Sequence, residues 1–305
     1  MENAPSLFEA VCDGYNLQQA WMDVWGGRTV SARHKGAGVD GVTVAEWAQD
    51  WPARLRALQA NLQRGAYQPQ DLLRFDIPRP PLVPPRMRGG LEGEEHTRMR
   101  GGLEAEKRTR RLGIPTVTDR VAQRAVKNVL EPIWEAVFLS CSHGFRPGRS
   151  VFTAIAHVLW HHSLGRSWAA DADIESCFDR VAHGRLLAQI DPLGDPLLTQ
   201  LIAGWLRAGA SLPGYGIAQG AVISPLLANI YLHPFDAAMI DAGLALVRYA
   251  DDFVVMCADP QAAMRALACA QAALGDLELT LNAEKTGVVP VGPEFGFLGA
   301  QFIEG

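Results

Sequence analysis

The stretch LVRYADDFVVMC, residues 246–257, places two adjacent aspartates, Asp251 and Asp252, inside an otherwise apolar run. The flanking residues are rich in β-branched and aromatic side chains, which favours two short strands joined by a tight turn at Ala-Asp-Asp. Aspartate is common in turns, so a turn alone is one explanation of the pair. Two carboxylates this close repel each other, however, and the pKa of one of them should rise. A divalent cation relieves that repulsion because hard oxygen ligands suit Mg²⁺, and the rest of the chain must decide between the two interpretations.

The chain has 305 residues, of which 48% are hydrophobic, enough for one large core or two subdomains. No apolar run reaches the roughly 18 residues that a membrane-spanning helix needs. The acidic start of the chain lacks the basic region of a signal peptide. The cysteines are scattered, odd in number and without a C-x-x-C spacing, which indicates reduced thiols and argues against a structural zinc site. We therefore expect a cytoplasmic protein that does not associate with a membrane.

The charges are unevenly distributed along the chain. The net charge of −5 argues mildly against a nucleic-acid-binding protein. Residues 107–127, however, hold seven Lys and Arg against one Asp, whereas residues 151–305 hold seven basic against sixteen acidic side chains. A basic surface can bind phosphates, and clustered carboxylates can hold a metal ion.

Hydrophobic periodicity predicts an α+β protein. Helical spacing is found over residues 7–25, 43–65, 118–139, 150–163, 183–190, 195–209, 260–275 and most of 219–240. Strands are predicted over 168–174, in the hairpin of 246–257, in the strand-like stretch around 279–291 and as a final strand at 295–302. The two types mix without a steady βαβ alternation, which indicates the α+β class.

A short charged and Gly-rich duplication, RMRGGLE at 86–92 and again at 98–104, interrupts this pattern. We interpret it as a mobile surface insertion. The alternative is a flap that contacts nucleic acid.

A second carboxylate cluster, Asp171, Asp173 and Asp179, lies in DADIESCFD. Side chains alternate along a strand, so Asp171 and Asp173 should share one face. A strand that ends in Asp beside an Asp-Asp hairpin turn is a candidate site for two metal ions. Nucleotidyl transfer needs such a site, where the ions activate an attacking 3′-hydroxyl and stabilise the leaving pyrophosphate.

Eight motifs follow one another in a familiar order. They are KGAGVDGVTVAEW (35–47), RRLGIPTVTDRVAQRAVKNVLEPIWE (110–135), HGFRPGRSVFTAI (143–155), DADIESCFD (171–179), QGAVISPLLANIYL (219–232), YADD (249–252), LNAEKT (281–286) and FGFLGAQF (295–302). Together they resemble the motifs of reverse transcriptases of the bacterial group II intron-like branch. Arg111 departs from that pattern, because it stands where the family usually has Pro.

The resemblance implies a right-hand polymerase made of fingers and palm. It implies an N-terminal extension and fingers over 1–165, with the charged insertion near 86–106. It implies a palm over 166–305 that carries the catalytic carboxylates and the primer-grip strand. A helical thumb follows this point in the family, and we expect it to be absent here. We therefore expect weak, salt-sensitive binding of primer and template unless another molecule supplies the clamp.

The resemblance also implies the catalytic groups. The expected ligands of two Mg²⁺ ions, with Mn²⁺ as a substitute, are Asp173, Asp251, Asp252 and the carbonyl of Ile174. Lys285 is expected to protonate the pyrophosphate, or else to pair with Glu284. Asp171 and Asp179 are expected to be solvated or capping residues.

Further residues are carried over by motif to the substrates. Phe178 is expected under the incoming sugar, where it excludes a 2′-hydroxyl, and Gln219 at the edge of the nucleotide pocket; the alternatives are a core Phe and a polar loop residue. Arg110 is expected to bind the triphosphate, since a guanidinium grips phosphate oxygens in a bidentate manner. The residues expected to contact template or primer are Lys107, Arg108, Arg111, Arg146 and Arg149. For Arg146 and Arg149 the alternative is to hold their own turn.

His157 and His161 are spaced i, i+4, as in some zinc sites. No third ligand is evident nearby in the sequence, so we interpret the two as part of an ordinary helix face.

The function implied is RNA-directed DNA synthesis with an RNA template, a DNA or RNA primer and dNTPs. Relatives in this branch that act beside a CRISPR integrase suggest spacer acquisition from RNA as the pathway. Antiphage defence, where a structured non-coding RNA is the partner, and an intron maturase remnant are alternatives. A non-catalytic RNA-binding scaffold is disfavoured by the intact carboxylates, and an RNA polymerase by bulky Phe178.

Overall fold

A four-stranded antiparallel sheet with strand order β4-β5-β3-β6 organises the C-terminal half of the chain. The computed structural model describes residues 5–27, 29, 32, 36–78, 109–293 and 295–302. The duplicated segment at 86–104, together with Lys107 and Arg108, lies outside the described residues. The strands of the protein are β1 (Leu73–Pro78), β2 (Thr109–Ile114), β3 (Trp168–Asp173), β4 (Ala245–Tyr249), β5 (Asp252–Cys257), β6 (Gly287–Pro290), β7 (Gly296–Phe297) and β8 (Ala300–Gln301).

The helices begin largely where the sequence places capping residues. Ser150 and Thr43 both form capping boxes, and the side chain of Asp259 accepts a hydrogen bond from the Ala262 amide at 2.7 Å. The helices are α1 (Leu7–Cys12), α2 (Gly14–Gly26), α3 (Val44–Ala48), α4 (Trp51–Gln63), α5 (Val117–Glu135), α6 (Val151–Ser163), α7 (Cys177–Arg180), α8 (His183–Ile190), α9 (Pro196–Gly209), α10 (Ser224–Asp241) and α11 (Pro260–Gly275). The predicted α+β class is confirmed as a mixture of helices and sheet.

Two predicted helices are each divided in the structure. The helix expected over 7–25 stops at Asp13, whose carboxylate accepts from the amides of Tyr15 and Asn16 and so starts a second helix. The helix expected over 43–65 is interrupted before Trp51, because Pro52 has no amide hydrogen to continue the earlier turn.

The C-terminal stretches also differ from the expectation. Of residues 279–291, only Gly287–Pro290 is a strand. The predicted final strand is instead a tight hairpin of β7 and β8, because Leu298 and Gly299 adopt φ values of 52° and 80° and reverse the chain.

The central sheet is buried on both faces. One face packs against α10 and α11, with Phe253 and Phe235 in edge-to-face contact at 5.1 Å. The other face packs against α6 and the β7–β8 hairpin, where Val254 and Val158 join three phenylalanines of the C-terminal segment. No helix in the described part of the chain is long and apolar enough to cross a membrane. Because both faces of the sheet are covered, polar side chains can meet at the ends of the strands.

Candidate active site

The carboxylates of the two sequence motifs meet at one end of the central sheet. Strand β3 ends at Asp173 and β5 begins at Asp252, and these two residues are direct cross-strand partners. Paired residues project from the same face, so both carboxylates point to the same side. Ala250 and Asp251 form the intervening turn, in which Ala250 has a φ of 59°, a backbone conformation that costs energy in a residue with a Cβ. The strained turn thus carries the acidic pair at a fixed place.

The repulsion predicted from the sequence is present. Burial, followed by the neighbouring carboxylates of Asp251 and Asp173, raises the pKa of Asp252 to about 7. Burial also raises the pKa of Asp171 to about 6, again with a contribution from Asp173. Negative charge is therefore concentrated here in a partly buried setting, which is unfavourable for the protein alone.

Lys285 provides a counter-charge to these carboxylates. Its Nζ donates to Oδ2 of Asp173 at 2.6 Å. The same loop is fixed by its backbone, because the amide of Asn282 donates to the carbonyl of Asp173 at 2.8 Å. The structure thus places the ammonium on Asp173, a contact that the sequence did not predict for it.

A cavity of about 310 Å³ opens over these side chains. Asp171, Asp173, Asp252 and Lys285 line one part of it, and residues 296–299 of the C-terminal hairpin line another. Asp171 and Asp173 share a face, as predicted. The expectation that Asp171 is solvated or a helix cap is wrong, because it lies within β3, is half-buried and lines the cavity.

The charge and chemistry of this donor set fit a divalent cation. Carboxylate oxygens are hard ligands, and the raised pKa of Asp252 marks excess negative charge that a bound cation would neutralise. Among the described residues, however, no group of three or more His, Cys, Asp or Glu side chains is already arranged to hold a metal ion. The ligand set of Asp173, Asp251 and Asp252 therefore stays a prediction. The Ile174 carbonyl also stays a predicted ligand. Its residue is held beside the turn, because the amide of Ile174 donates to the carbonyl of Asp251 at 3.2 Å.

The predicted nucleotide residues lie on elements that are tied together. The carbonyl of Gln219 accepts from the amide of Gly113 in β2 at 2.8 Å, and a Cβ at Gly220 would lie 2.9 Å from the Gly113 carbonyl oxygen. The loop can approach β2 this closely because residue 220 is glycine. Strand β2 contains Arg110, which pairs with Ile77 through the backbone; its side chain lies outside the described residues.

Phe178 lies in the short helix α7 and packs against the edge of the core. Its ring is edge-to-face with that of Phe145 at 6.4 Å, and its carbonyl accepts from the Ile217 amide at 2.8 Å. It therefore has core contacts and a partly exposed ring at once. Its predicted role under the sugar stays a prediction.

The predicted template-contacting arginines differ in their surroundings. Arg146 is only 7% exposed; it forms a bidentate contact with Glu135 and donates to the carbonyls of Leu139 and Ser142. This is the turn-holding geometry that the sequence left open. Arg149 donates to the Ser140 carbonyl at 2.7 Å, and Arg111 forms an exposed ion pair with Asp76 at 3.5 Å.

His157 and His161 on α6 form a chain of histidine rings with His143 of the preceding loop. Their rings stack at 4.8 Å, and Nδ1 of His157 is 3.0 Å from Nε2 of His143. Burial lowers the pKa of His143 and of His161 to about 4. The contacts are those of a partly buried helix face.

Sequence reasoning missed a buried ion pair next to the carboxylate turn. Arg248 in β4 and Asp236 in α10 are both completely buried and contact each other. The available signal was a charged residue within an apolar stretch of each element, at a position where alternation in the strand and periodicity in the helix predict a core side chain.

Comparison with known proteins agrees with the arrangement of these motifs. The family model described as "Reverse transcriptase (RNA-dependent DNA polymerase)" matches residues 101–302. Protein YkfC of Escherichia coli (strain K12) is 31% identical, over 94% of this chain and 81% of that protein. The chain belongs to the reverse transcriptase family. Members of this family are RNA-dependent DNA polymerases.

Other relatives overlap the reverse transcriptase chain over a shorter length. The group II intron-encoded protein LtrA of Lactococcus lactis subsp. cremoris is 44% identical over 41% of this chain, which spans 22% of LtrA. Among solved structures, the partial Cas6-RT-Cas1–Cas2 complex superposes with a TM-score of 0.46 and 23% identity, over 90% of this chain and 42% of that chain. The predicted likeness to group II intron proteins is thus confirmed in sequence.

Proposed function

We propose that the site at the Asp251–Asp252 turn catalyses RNA-templated DNA synthesis by two-metal-ion nucleotidyl transfer. The observation that carries this proposal is the cross-strand pairing of Asp173 with Asp252 beside Asp251. Asp173, Asp251, Asp252 and the carbonyl of Ile174 would hold two Mg²⁺ ions. When bound, the ions supply positive charge that lowers the pKa of the attacking 3′-hydroxyl and stabilises the leaving pyrophosphate.

In this proposal the central sheet is the palm and the β1–β2 hairpin belongs to the fingers. Gln219 and Phe178 border the incoming nucleotide, and Arg110 binds its triphosphate. The bond between the Gly113 amide and the Gln219 carbonyl supports this grouping, because it holds strand β2 beside the loop that precedes α10.

Lys285 has a proposed role in proton transfer. Its ammonium lies at 2.6 Å from Asp173, so it is held at the carboxylates by an ion pair before the substrates arrive. From there it would donate a proton to the departing pyrophosphate. Lys285→Arg keeps the charge and removes an easily lost proton, so it should slow nucleotide addition while leaving primer binding intact.

We place the template and primer along the basic fingers residues. Arg111 and Arg149 are the candidates on the described surface, and Lys107 and Arg108 complete the proposed set. Arg146 has a supporting role in this arrangement, because its guanidinium already binds Glu135 and two carbonyls. It would hold the loop that presents Arg149.

The proposal is tested by primer extension on an RNA template with dNTPs or NTPs and Mg²⁺. Wild-type protein should extend the primer with dNTPs, and Asp251→Asn should reduce synthesis to a few per cent or less, since it removes charge from the site and little volume. Retained activity in a folded Asp251→Asn variant would refute the ligand assignment. RNA binding without any extension by the wild type would instead favour the scaffold alternative.

For the biological pathway we propose CRISPR spacer acquisition from RNA, with a spacer integrase as partner. The support is the order and content of the eight motifs. The 44% identity to the intron-encoded protein LtrA favours a second candidate, an intron maturase remnant. Adding a spacer integrase should lengthen the products on unrelated RNA templates, whereas a maturase remnant should respond only to its structured intron RNA. A response restricted to another structured non-coding RNA would indicate the antiphage alternative.

A further inference from the structure

A completely buried ion pair lies directly behind the carboxylate turn. Arg248 belongs to β4, one residue before Tyr249, and Asp236 belongs to α10. The guanidinium and the carboxylate meet in a two-pronged contact, Nε to Oδ1 at 2.6 Å and Nη2 to Oδ2 at 2.5 Å. Both side chains have no solvent exposure. The geometry holds the guanidinium plane in one orientation.

The remaining donors of Arg248 are directed at the turn and at a neighbouring loop. Nη1 donates to the carbonyl of Ala250 at 2.9 Å, and Ala250 is the strained residue that immediately precedes Asp251. Nη1 also donates to Oδ1 of Asn229 at 3.1 Å, and Nη2 donates to Oγ of Ser142 at 2.9 Å. One side chain thus contacts the turn, helix α10 and the loop that leads to Gly144.

The loop of residues 141–144 closes the arrangement from the other side. The amide of Arg248 donates to the Cys141 carbonyl, and the amide of His143 donates to the Arg248 carbonyl, both at 2.8 Å. The Asn229 side chain donates to the Gly144 carbonyl at 2.8 Å. A Cβ on Gly144 would lie only 2.4 Å from the Ala250 amide nitrogen, so the loop already touches the turn.

Stability alone is a poor explanation for this pair. The desolvation of two charges offsets much of their attraction, and well-packed apolar residues of similar volume often replace a buried pair without loss of stability. What apolar residues cannot replace is the donor that holds the Ala250 carbonyl. We propose that Arg248, oriented by Asp236, is a positioning unit that fixes the turn and thereby the places of the Asp251 and Asp252 carboxylates. This inference rests on the proposed function of these carboxylates.

The test compares two buried aspartates. Asp236→Asn removes the charge that orients Arg248. Asp119→Asn is the matched control: Asp119 is also buried, but it accepts from Tyr67, from Thr116 and from the Gln70 amide, none of which belongs to the turn. The first readout is the Mg²⁺ concentration that gives half of the Mg²⁺-induced rise in unfolding temperature, measured without nucleic acid.

Asp236→Asn should need about tenfold more Mg²⁺ in this titration. In single-turnover primer extension, it should add a nucleotide about 100-fold more slowly, in line with the effect of small displacements of catalytic groups. The KM for dNTP should stay within about twofold. Asp119→Asn should lower the unfolding temperature but keep the wild-type Mg²⁺ requirement and rate. A folded Asp236→Asn variant that matches Asp119→Asn in both readouts would overturn the proposal.

A double variant keeps the proposal testable if Asp236→Asn does not fold. Arg248→Met with Asp236→Leu removes both charges at similar volume and should recover stability. It should still bind Mg²⁺ weakly and extend slowly, and a wild-type Mg²⁺ requirement in this variant would show that the pair is merely structural. Failure of the proposed function is distinguishable, because then the wild-type protein itself would not extend any primer.

Discussion

Asp252 is a residue where the needs of the fold and of the site conflict. Its pKa in the folded chain is about 7, mainly because of burial, whereas an Asp in an unfolded chain has a pKa of about 4. Between these values the folded protein keeps a proton that the unfolded chain releases. The contribution of Asp252 to the free energy of unfolding therefore falls as pH rises from about 4 to about 7. Above that range the carboxylate is charged in both states, and its full destabilisation of the folded protein is present.

Asp252→Asn should consequently stabilise the protein in the absence of divalent metal. At pH 8 with a chelator we expect the unfolding temperature of the variant to exceed that of the wild type by a few degrees. The difference should shrink as pH falls towards about 4, because the wild-type carboxyl is then protonated. Thermal scans at several pH values measure this, with Asp71→Asn, at an exposed loop position, as the control. A difference in unfolding temperature that does not depend on pH would show that the charge of Asp252 is not what destabilises the wild type.

Phe178 is the residue at which sugar selection can be tested. Its ring is partly exposed next to Phe145, so its truncation opens space on the side of α7 without emptying the main core. Phe178→Val should raise the efficiency of NTP use relative to dNTP use by about tenfold or more, consistent with the roughly 1–3 kcal/mol that a small steric difference in a pocket provides. Single-nucleotide incorporation measures both efficiencies. Phe152→Val, at an 82% exposed position on α6, should leave the ratio unchanged; an unchanged ratio in Phe178→Val would make it a core residue only.

At the scale of elements, the contact between the 141–144 loop and the β4–β5 turn makes a sharp prediction. Gly144→Ala places a Cβ within 2.4 Å of the Ala250 amide, and backbone atoms cannot move aside cheaply. The variant should lose at least about tenfold in extension rate and should unfold at a lower temperature. Gly184→Ala is the matched control, because Gly184 lies within α8 and, apart from the adjoining backbone of that helix, no atom lies within 4 Å of the place that a methyl group would take. Alanine there should stabilise the helix by about 0.5–1 kcal/mol. Wild-type rates in Gly144→Ala would mean that the turn can shift without consequence.

Elements whose limits depend on local chemistry were predictable from the sequence. Helices α8, α9 and α11 and the carboxylate hairpin follow the predicted limits within a residue or two. Their signals are local: helical periodicity, the Asp195 and Asp259 caps of α9 and α11, and strand alternation. The division at Asp13 was missed because helical spacing continues across it. The C-terminal hairpin was missed because it depends on a leucine, Leu298, in a left-handed conformation that its type does not indicate. To predict the Arg248–Asp236 ion pair, one must know which helix covers which face of the sheet, and no local sequence pattern contains that information.

At the scale of the whole molecule, the side of the central sheet that packs against α6 and the β7–β8 hairpin carries titratable groups whose charged forms are disfavoured. Asp171 in β3 and Asp252 at the start of β5 have raised pKa values, and His143 in the 141–144 loop and His161 on α6 have lowered ones. The two sets act in opposite directions as pH falls. Protonation of the carboxyls favours the folded state between about pH 7 and 4, whereas the histidines favour the unfolded state over nearly the same range. The overall pH dependence is therefore a balance, and single variants are needed to separate its parts.

His161 is suited to such a separation, because it lies far along α6 and accepts from Arg166 at 3.1 Å. Burial lowers its pKa from 6.5 to about 4. Below about pH 6.5 the unfolded chain takes up a proton that the folded chain does not bind until about pH 4, so the stabilisation due to neutral His161 is lost in that window.

His161→Gln keeps an acceptor for Arg166 but cannot take up a proton. It should be less stable than the wild type at pH 8, because ring stacking is lost, and the gap should narrow steadily between about pH 6.5 and 4. His162→Gln, at the exposed neighbouring position, should show a constant gap. A gap for His161→Gln that stays constant or widens on acidification would mean that the folded protein already accommodates a charged histidine at this position.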